Sequence, residues 1–197
     1  MKLDSIATLV LDAVERIDPE TRYEEKAHGT PRIPSTNELL RGTLGGRETE
    51  YPRSRDRCDV AFEVDGLRIW LEAKHSWTWS TYTQPACRNG AYTKHLFGTD
   101  AASSLHDAGT KLPRLIGQPG VDAIAMLVIA LGSTSLPHSV DDIRSLARSA
   151  QLDVAPWKQF DRPERASRVL GYETIRVRPY LWIRPAASVA TKRAARA

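Results

Sequence analysis

Two alternating segments joined by Asp65-Gly66 constrain the fold of this chain more than any other feature. Residues 57–64 and residues 67–75 each place apolar side chains at every second position, which is typical of a strand with one buried face. An Asp-Gly pair between two such segments is a strong signal for a two-residue hairpin turn. The sequence therefore predicts an antiparallel hairpin at this point of the chain.

A two-residue turn determines the register of the whole hairpin, because successive residues on its two sides pair with each other. The apolar face, which we expect to face the core, consists of Cys58, Val60, Phe62, Val64, Leu67, Ile69, Leu71 and Ala73. The opposite face is mostly charged, and on it Asp59 is predicted to lie directly across from Glu72. Lys74 follows two residues further along that face.

Two carboxylates at directly opposite positions bring their Cβ atoms to about 4.5–5.5 Å and repel each other. Lys74 offsets only part of this charge. A hard cation such as Mg²⁺, which proteins bind through one or two carboxylates, would balance the rest. The alternative is an ordinary solvated sheet face, which explains the neighbouring Glu63 and Arg68 but not two facing acids. The pattern therefore favours a metal site.

Helical and strand-like patterns alternate along the rest of the chain. Further helices are predicted at residues 3–17, at residues 38–41 after the capping residues 35–37, at residues 100–112 and from residue 139 onward. Further strands are predicted at residues 47–51, 121–131 and 174–183. We place the last strand at a sheet edge, because Pro179 has no N–H to donate. This order predicts an α/β protein with a mixed central β-sheet flanked by helices.

The length of 197 residues is enough for a core without disulfides, and we expect one domain over residues 1–185 with a basic, disordered tail over residues 186–197. The longest apolar run, residues 123–131, is too short to span a bilayer. Two cysteines give no disulfide framework, so we expect a reducing cytoplasm and no membrane association. The net charge of +4 is compatible with nucleic-acid binding but does not require it.

The hairpin resembles the PD-(D/E)xK nuclease superfamily, which has the restriction-endonuclease-like fold. The pattern of that family is an acid on one strand, a short turn, and an acid-x-Lys tripeptide on the next strand. Here Asp59 matches the first acid and Glu72-Ala73-Lys74 the tripeptide, while Cys58 stands where the family name has proline. The resemblance covers about residues 35–131, roughly half of the chain.

The resemblance implies a Mg²⁺-dependent DNA endonuclease, with Mn²⁺ as a substitute metal and a role such as restriction or another form of defence. It implies that Asp59, Glu72 and the carbonyl of Ala73 hold the metal. Lys74 would orient or deprotonate the attacking water and stabilise charge on the phosphate. Because one site cuts one strand, cleavage of a duplex suggests a homodimer.

A further acid on the preceding helix is common in the family, and Glu38 stands at the expected place. An acid in a first helical turn is also favourable by the helix dipole alone, so a structural role for Glu38 stays open. Glu15 and Glu50 are competing candidates for this third acid.

Aromatic and basic residues are interleaved after the hairpin, a combination that can stack on bases and pair with phosphates. The candidate substrate contacts are Arg57, Trp77, Trp79 and Lys94. A hydrophobic flap that packs over the sheet would explain the same aromatic residues.

Two other function classes remain open. The first is a non-catalytic nucleic-acid-binding or assembly module on the same fold. The second is a scaffold protein without a nucleic-acid role, whose melting temperature should not respond to Mg²⁺ or Mn²⁺.

Overall fold

The computed structural model describes residues 2–18, 35–52, 55–77, 105–133, 147–148, 150–166 and 175–186. The helices are α1 (Leu3–Ile17), α2 (Thr36–Leu44) and α3 (Leu105–Lys111), and α3 continues into a 3₁₀ turn (Leu112–Leu115). The strands are β1 (Arg47–Glu50), β2 (Arg57–Val64), β3 (Leu67–Trp77), β4 (Ala123–Ser133), β5 (Lys158–Asp161), β6 (Arg165–Ala166) and β7 (Ile175–Pro185). The chain is therefore an α/β protein, as the sequence predicts.

The described strands form one mixed sheet in the order β1-β2-β3-β4-β7-β5, and β6 also pairs with β7. β3 and β4 are parallel, and all other pairs are antiparallel. Parallel neighbours require a crossover connection, and α3 lies on the one between β3 and β4. This topology places β3, with its acid-x-Lys tripeptide, in the interior of the sheet.

Two hydrophobic cores cover the two faces of the sheet. The first core joins α1 and α2 to one face, and its members include Ile6, Val10, Val14, Leu40, Val60, Phe62, Leu71, Ala73 and Leu127. The second core joins α3 and the 3₁₀ turn to the other face, and its members include Tyr51, Cys58, Ala61, Trp70, Leu112, Leu115, Met126 and Trp182. Helices thus lie on both faces, as predicted.

The hairpin register agrees with the prediction. β2 and β3 pair regularly from Val64–Leu67 at the turn to Val60–Leu71. The two turn residues have left-handed backbones, with φ of 51° at Asp65 and 71° at Gly66. Both central residues of a type I′ turn need positive φ, which explains why an Asp-Gly pair closes this hairpin.

A β-bulge in β2 changes the predicted face of one residue. Arg47 of β1 pairs with Ala61, and Thr49 pairs with Cys58. Two steps along β1 thus match three steps along β2, so one extra residue lies at 59–60. The bulge reverses the alternation, and Cys58 packs with Ala61 in the second core. The prediction that Cys58 faces the first core is therefore wrong.

The last strand is not at an edge, contrary to the prediction. β7 lies between β4 on one side and β5 and β6 on the other. The backbone N–H of Arg162, between β5 and β6, donates to the carbonyl of Pro179 at 3.4 Å. In a strand, the N–H and the carbonyl of one residue point to the same side. The N atom of Pro179 therefore points, like its carbonyl, toward the residues between β5 and β6. These residues are not part of either ladder, so the missing N–H of Pro179 costs no ladder hydrogen bond.

β5 and β6 were not predicted, because they are only four and two residues long and show no alternation. Their segment is held against α1 by ion pairs. Arg162 lies 2.8 Å from Asp12, and Arg165 lies 2.7 Å from the fully buried carboxylate of Asp18. Charge pairing with a helix thus orders a segment that hydrophobic periodicity does not reveal.

Two predicted regions fall mainly outside the described residues. The helix expected from Ser139 onward is described only at 147–148, which are helical, and at 150. The tail from 187 to 197 is outside the described ranges. Ala186, which we assigned to the tail, is buried in the second core, and its N–H donates to the carbonyl of Asp122 at 3.0 Å.

Candidate active site

Lys74 lies between two carboxylates that belong to neighbouring strands. Its Nζ atom is 3.1 Å from Oε2 of Glu72 on β3 and 3.8 Å from Oδ2 of Asp59 on β2. The exposed fractions of the three side chains are 18% for Lys74, 7% for Glu72 and 19% for Asp59. The structure therefore brings the acid and the acid-x-Lys tripeptide into one partly buried cluster.

Asp59 reaches this cluster from a position that the sequence did not predict. The paired register of the hairpin ends one pair short of Asp59, which lies at the bulge. Its Oδ2 atom accepts a hydrogen bond of 2.9 Å from the backbone N–H of Ala73. The predicted face-to-face register pair of Asp59 and Glu72 is therefore wrong. The bulge instead directs the Asp59 carboxylate toward the β3 backbone.

Asp59 is also held from α2. Nδ2 of Asn37 donates a hydrogen bond of 2.7 Å to Oδ1 of Asp59, and Nη1 of Arg41 donates to the Asp59 carbonyl at 3.3 Å. α2 begins at a Ser35 cap and ends at Gly45, whose φ of 63° is left-handed. The Ser35 cap determines where the helix begins, and it thereby places Asn37 in the first turn, from which its side chain reaches Asp59 at the bulge.

Glu72 is held by a tyrosine of the segment after β1. The hydroxyl of Tyr51 donates a hydrogen bond of 2.6 Å to Oε1 of Glu72. Tyr51 is buried in the second core, where its ring lies 5.9 Å from the ring of Trp70. Burial raises the pKa of Tyr51, so its hydroxyl stays protonated and acts as the donor.

The charges of the cluster shift the ionisation of both groups on β3. Burial raises the pKa of Glu72 to about 7; Lys74 opposes this shift, and repulsion from Asp59 adds to it. Burial lowers the pKa of Lys74, but attraction to Glu72 and Asp59 outweighs it, and the pKa is raised overall. One ammonium thus faces two carboxylates, and the cluster carries excess negative charge when both acids are ionised.

Glu38 is next to Asn37 but is engaged elsewhere. Its Oε2 atom accepts a hydrogen bond of 2.6 Å from the backbone N–H of Ser35, and the Ser35 hydroxyl accepts one from the Glu38 N–H at 3.3 Å. This is a capping box, which satisfies two N–H groups at the start of α2. The geometry shows the structural role for Glu38 that the sequence left open.

The two competing acids lie in other ion pairs. Glu15 of α1 lies 3.9 Å from Arg162 near β5, and Glu50 lies 3.6 Å from Arg57 across the β1–β2 pair. Across the described ranges, no three residues of the types His, Cys, Asp and Glu gather into a metal-binding group. The described donor set therefore consists of Asp59, Glu72 and the neighbouring backbone.

This donor set fits Mg²⁺ or Mn²⁺. Two carboxylates with uncompensated negative charge are hard oxygen ligands, and Mg²⁺ is usually bound through one or two carboxylates together with water and substrate oxygens. A structural zinc site would need four ligands, mostly Cys and His. The residues that would hold Mg²⁺ are Asp59, Glu72 and the carbonyl of Ala73.

Of the four residues predicted to contact substrate, Arg57 and Trp77 lie within the described ranges. Arg57 is exposed, but its guanidinium pairs with Glu48 at 3.0 Å and with Glu50 at 3.6 Å. Trp77 ends β3, and its backbone pairs with Leu131 of β4. Trp79 and Lys94 lie outside the described residues.

A cavity of about 280 Å³ is lined in part by Tyr51, whose hydroxyl binds Glu72 of the cluster. The crossover segment after β3 supplies Lys111 and Arg114 to its wall. Lys111 is held by Asp107 at 2.7 Å and by Asp56 at 3.1 Å. No acid within the described part of the chain forms an ion pair with Arg114. The cavity thus presents the exposed guanidinium of Arg114 on a wall that it shares with Tyr51, the residue that binds Glu72.

Sequence patterns did not identify Asn37 or Tyr51 as site residues. Asn37 stood in the sequence as part of a helix cap, and Tyr51 as the end of a weakly alternating strand. Both act through contacts to residues 21 or 22 positions away, which no local period records. Only the tertiary contacts between distant segments show them.

The comparisons with known proteins assign no family. No protein-family model matches the chain, and no curated protein or solved structure shows significant similarity to it. No helix in the described ranges has the length and apolar character to cross a membrane.

Proposed function

We propose that the protein is a Mg²⁺-dependent DNA endonuclease of the PD-(D/E)xK type, with a restriction-endonuclease-like core. The observation that carries the proposal is the position of Lys74, whose ammonium lies within 3.8 Å of acids on two adjacent strands. An acid pair can hold a metal that activates water for phosphodiester hydrolysis, and an adjacent lysine can stabilise the developing charge. A restriction or other defence role is the biological setting that the resemblance implies.

The topology supports the same proposal. An antiparallel β1–β2–β3 meander is followed by a crossover that contains α3 and by the parallel strand β4. This order is the one that the resemblance implies for residues 35–131. The bulge at Asp59 also favours a functional site, because bulges are over-represented next to active sites, where they redirect side chains.

Each residue of the cluster has a role in the proposed reaction. When bound, Mg²⁺ would polarise the scissile phosphate and supply an activated water at neutral pH. Asp59, Glu72 and the Ala73 carbonyl would hold it. Lys74, kept protonated by the two carboxylates, orients the water and stabilises the charge that develops on the phosphate oxygens.

The surroundings of the cluster supply contacts for the DNA backbone. Arg114 and Lys111 line the cavity that Tyr51 borders, and in this proposal Arg114 contacts a phosphate of the DNA backbone. Arginine suits this role because its fork of donors matches phosphate oxygens. Cleavage of both strands of a duplex would use two copies of the chain, so a homodimer is part of the proposal.

One observation favours the alternative of a non-catalytic nucleic-acid-binding or assembly module on the same fold. Every carboxylate oxygen of Asp59 and Glu72 already has a partner, from Asn37, Ala73, Tyr51 and Lys74. A purely structural polar network would look like this. The two functions differ in metal dependence, since a structural network gains no stability from Mg²⁺ or Mn²⁺.

The test is to incubate the protein with supercoiled and linear DNA in Mg²⁺, Mn²⁺ or EDTA. We expect cleavage only with a divalent metal, and a loss of at least about 100-fold in Lys74→Gln, in line with the effect of removing one transition-state donor. Glutamine keeps a hydrogen-bond donor near the buried acids, and Asp59→Asn serves as a second variant. Lys158→Ala, which removes an ion-paired lysine on β5, is the control. Equal cleavage in EDTA, or by Lys74→Gln, contradicts the proposal.

A further inference from the structure

Two neutral side chains, Asn37 and Tyr51, each donate a hydrogen bond to one oxygen of a carboxylate in the cluster. Asn37 binds Oδ1 of Asp59 at 2.7 Å, and Tyr51 binds Oε1 of Glu72 at 2.6 Å. The remaining oxygens, Oδ2 and Oε2, are the ones that face Nζ of Lys74. Each acid therefore has one oxygen bound to a neutral side-chain donor and its other oxygen near Lys74, and Oδ2 of Asp59 also accepts from the N–H of Ala73.

We propose that Asn37 and Tyr51 are positioning residues, which set the orientation of the two metal-binding carboxylates. This inference rests on the proposed function, because it concerns the same cluster. It adds to that function two residues that neither the acid-x-Lys pattern nor the local sequence identifies, one on α2 and one between β1 and β2.

The neutrality of both donors is the first argument. A lysine or arginine at either place would hold a carboxylate equally well but would cancel its charge. An amide and a hydroxyl orient the carboxylates and leave the excess negative charge of the cluster in place. Orientation without neutralisation is what a cation-binding pair of acids needs from its neighbours.

Local stability does not explain the choice of residues. Asn37 lies in the first turn of α2, and asparagine has a lower helix propensity than alanine. Its amide is used instead on a side chain 22 residues away. The hydroxyl of Tyr51 donates to the carboxylate of Glu72, which is buried. A backbone carbonyl would accept the same hydrogen bond without burying a charged group, so the need of the hydroxyl for an acceptor does not explain the choice of Glu72.

The bulge and the two donors together restrict the orientation of the two carboxylates. The bulge turns the Asp59 carboxylate so that Oδ2 meets the N–H of Ala73 while Oδ1 remains for Asn37. The carboxylate is thereby held at both oxygens and cannot rotate freely. Tyr51 and Lys74 restrict Glu72 in the same way. Loss of either neutral donor should let one acid rotate away from the shared centre.

The experiment measures Mn²⁺ binding to the full chain without DNA, by calorimetry or by the electron paramagnetic resonance of free Mn²⁺. We expect the Kd to rise 10- to 100-fold in Tyr51→Phe and in Asn37→Ala, the range found when outer partners of metal ligands are removed. Tyr51→Phe keeps the ring packing on Trp70, and Asn37→Ala improves helix propensity, so a structural role alone predicts no such loss.

Matched controls separate this effect from general damage. Tyr180→Phe removes the hydroxyl of another tyrosine buried in the second core, and Thr36→Ala changes the residue before Asn37 in the same helical turn. Both should bind Mn²⁺ like the wild type. Melting curves in EDTA show whether each variant is folded, and the two test variants act on different carboxylates, so failure of one leaves the other informative.

The outcomes distinguish the two proposals. If both variants bind Mn²⁺ and cut DNA like the wild type, the positioning role is wrong and the nuclease proposal stands. If the variants bind Mn²⁺ more weakly but the wild type does not cut DNA, the positioning role stands and the nuclease proposal fails. If the wild type binds no Mn²⁺, both are wrong.

Discussion

Asn37 donates a hydrogen bond of 2.7 Å to Asp59, whereas the carboxylate of Glu38, the next residue on α2, accepts a hydrogen bond from Ser35 at the start of the helix. The contribution of α2 to the cluster is therefore an amide, not an acid. Adjacent residues on a helix point about 100° apart, so one of them can reach the bulge while its neighbour caps the helix.

This geometry predicts that Glu38 stabilises α2 and is not a metal ligand. Glu38→Gln should keep both cleavage and melting temperature near wild-type values, because glutamine also completes a capping box. Glu38→Ala should cost about 0.5–2 kcal/mol of stability, as typical for a lost cap. Cleavage assays and urea unfolding measure the two effects.

Glu15→Gln and Glu50→Gln are the controls, since both acids lie in ion pairs away from the cluster. If Glu38→Gln loses cleavage at unchanged stability while these two do not, Glu38 is the third acid after all.

The second prediction concerns Asp59 and metal binding. Asp59→Asn should be less stable than the wild type in EDTA, by about 1–3 kcal/mol, because an amide offers one acceptor oxygen where the carboxylate accepts from both Asn37 and Ala73. Mn²⁺ at 100 times its Kd should stabilise the wild type by about 2.7 kcal/mol and leave Asp59→Asn unchanged. Melting curves with EDTA and with Mn²⁺ measure both.

Asp12→Asn is the matched control, because it removes an ion-paired acid of α1 that lies outside the cluster. It should retain the full metal-dependent shift. A wild type that does not respond to Mn²⁺ would support the structural network as the role of the acid pair.

The sequence predicts the elements whose determinants are local. The turn at Asp65-Gly66 needs two left-handed residues, so the hairpin and its register follow from the local sequence alone. The apolar run of β4 is buried on both faces, as its lack of alternation indicates. The same register placed Glu72 and Lys74 on one face of β3, where the structure shows them in contact.

What the sequence does not predict depends on contacts between distant segments. The bulge at Asp59 follows from how β1 pairs with β2, and no alternation within β2 marks it. Pro179 suggests an edge strand, but it is accommodated inside the sheet because β5 and β6 leave a gap opposite it. Asn37 and Tyr51 are site residues only through hydrogen bonds that span more than 20 positions.

The third prediction is that stability depends on pH through Glu72. Its pKa is raised to about 7 from an ordinary value of 4.5, so the folded state binds a proton more tightly than the unfolded state. The contribution is fully present below about pH 4.5 and is lost as the pH rises through 7. Since one pKa unit corresponds to about 1.4 kcal/mol, the full loss should be on the order of 3–4 kcal/mol.

Urea unfolding in EDTA between pH 5 and pH 8.5 measures this dependence, and Glu72→Gln should remove it because glutamine does not titrate in this range. The difference between the two proteins cancels the titration of groups outside the cluster. Parallel curves for wild type and Glu72→Gln would show that Glu72 titrates normally.

The last prediction tests whether DNA passes over the cavity beside Tyr51. Arg114 is exposed at its wall and, among the described residues, is not held in an ion pair, whereas the neighbouring Lys111 is bound by two acids. A phosphate contact contributes to affinity through counterion release, so it adds about 0.9 to the slope of log K against log salt concentration for duplex DNA. Arg114→Ala should therefore weaken binding similarly for all sequences and lower that slope by about 1. Fluorescence anisotropy in EDTA between 50 and 200 mM salt measures the affinity without cleavage.

Arg16→Ala removes an exposed arginine of α1, on the opposite face of the sheet, and should change neither affinity nor slope. If Arg114→Ala also leaves both unchanged, DNA does not contact this wall of the cavity, and the path of the backbone must be assigned to another surface.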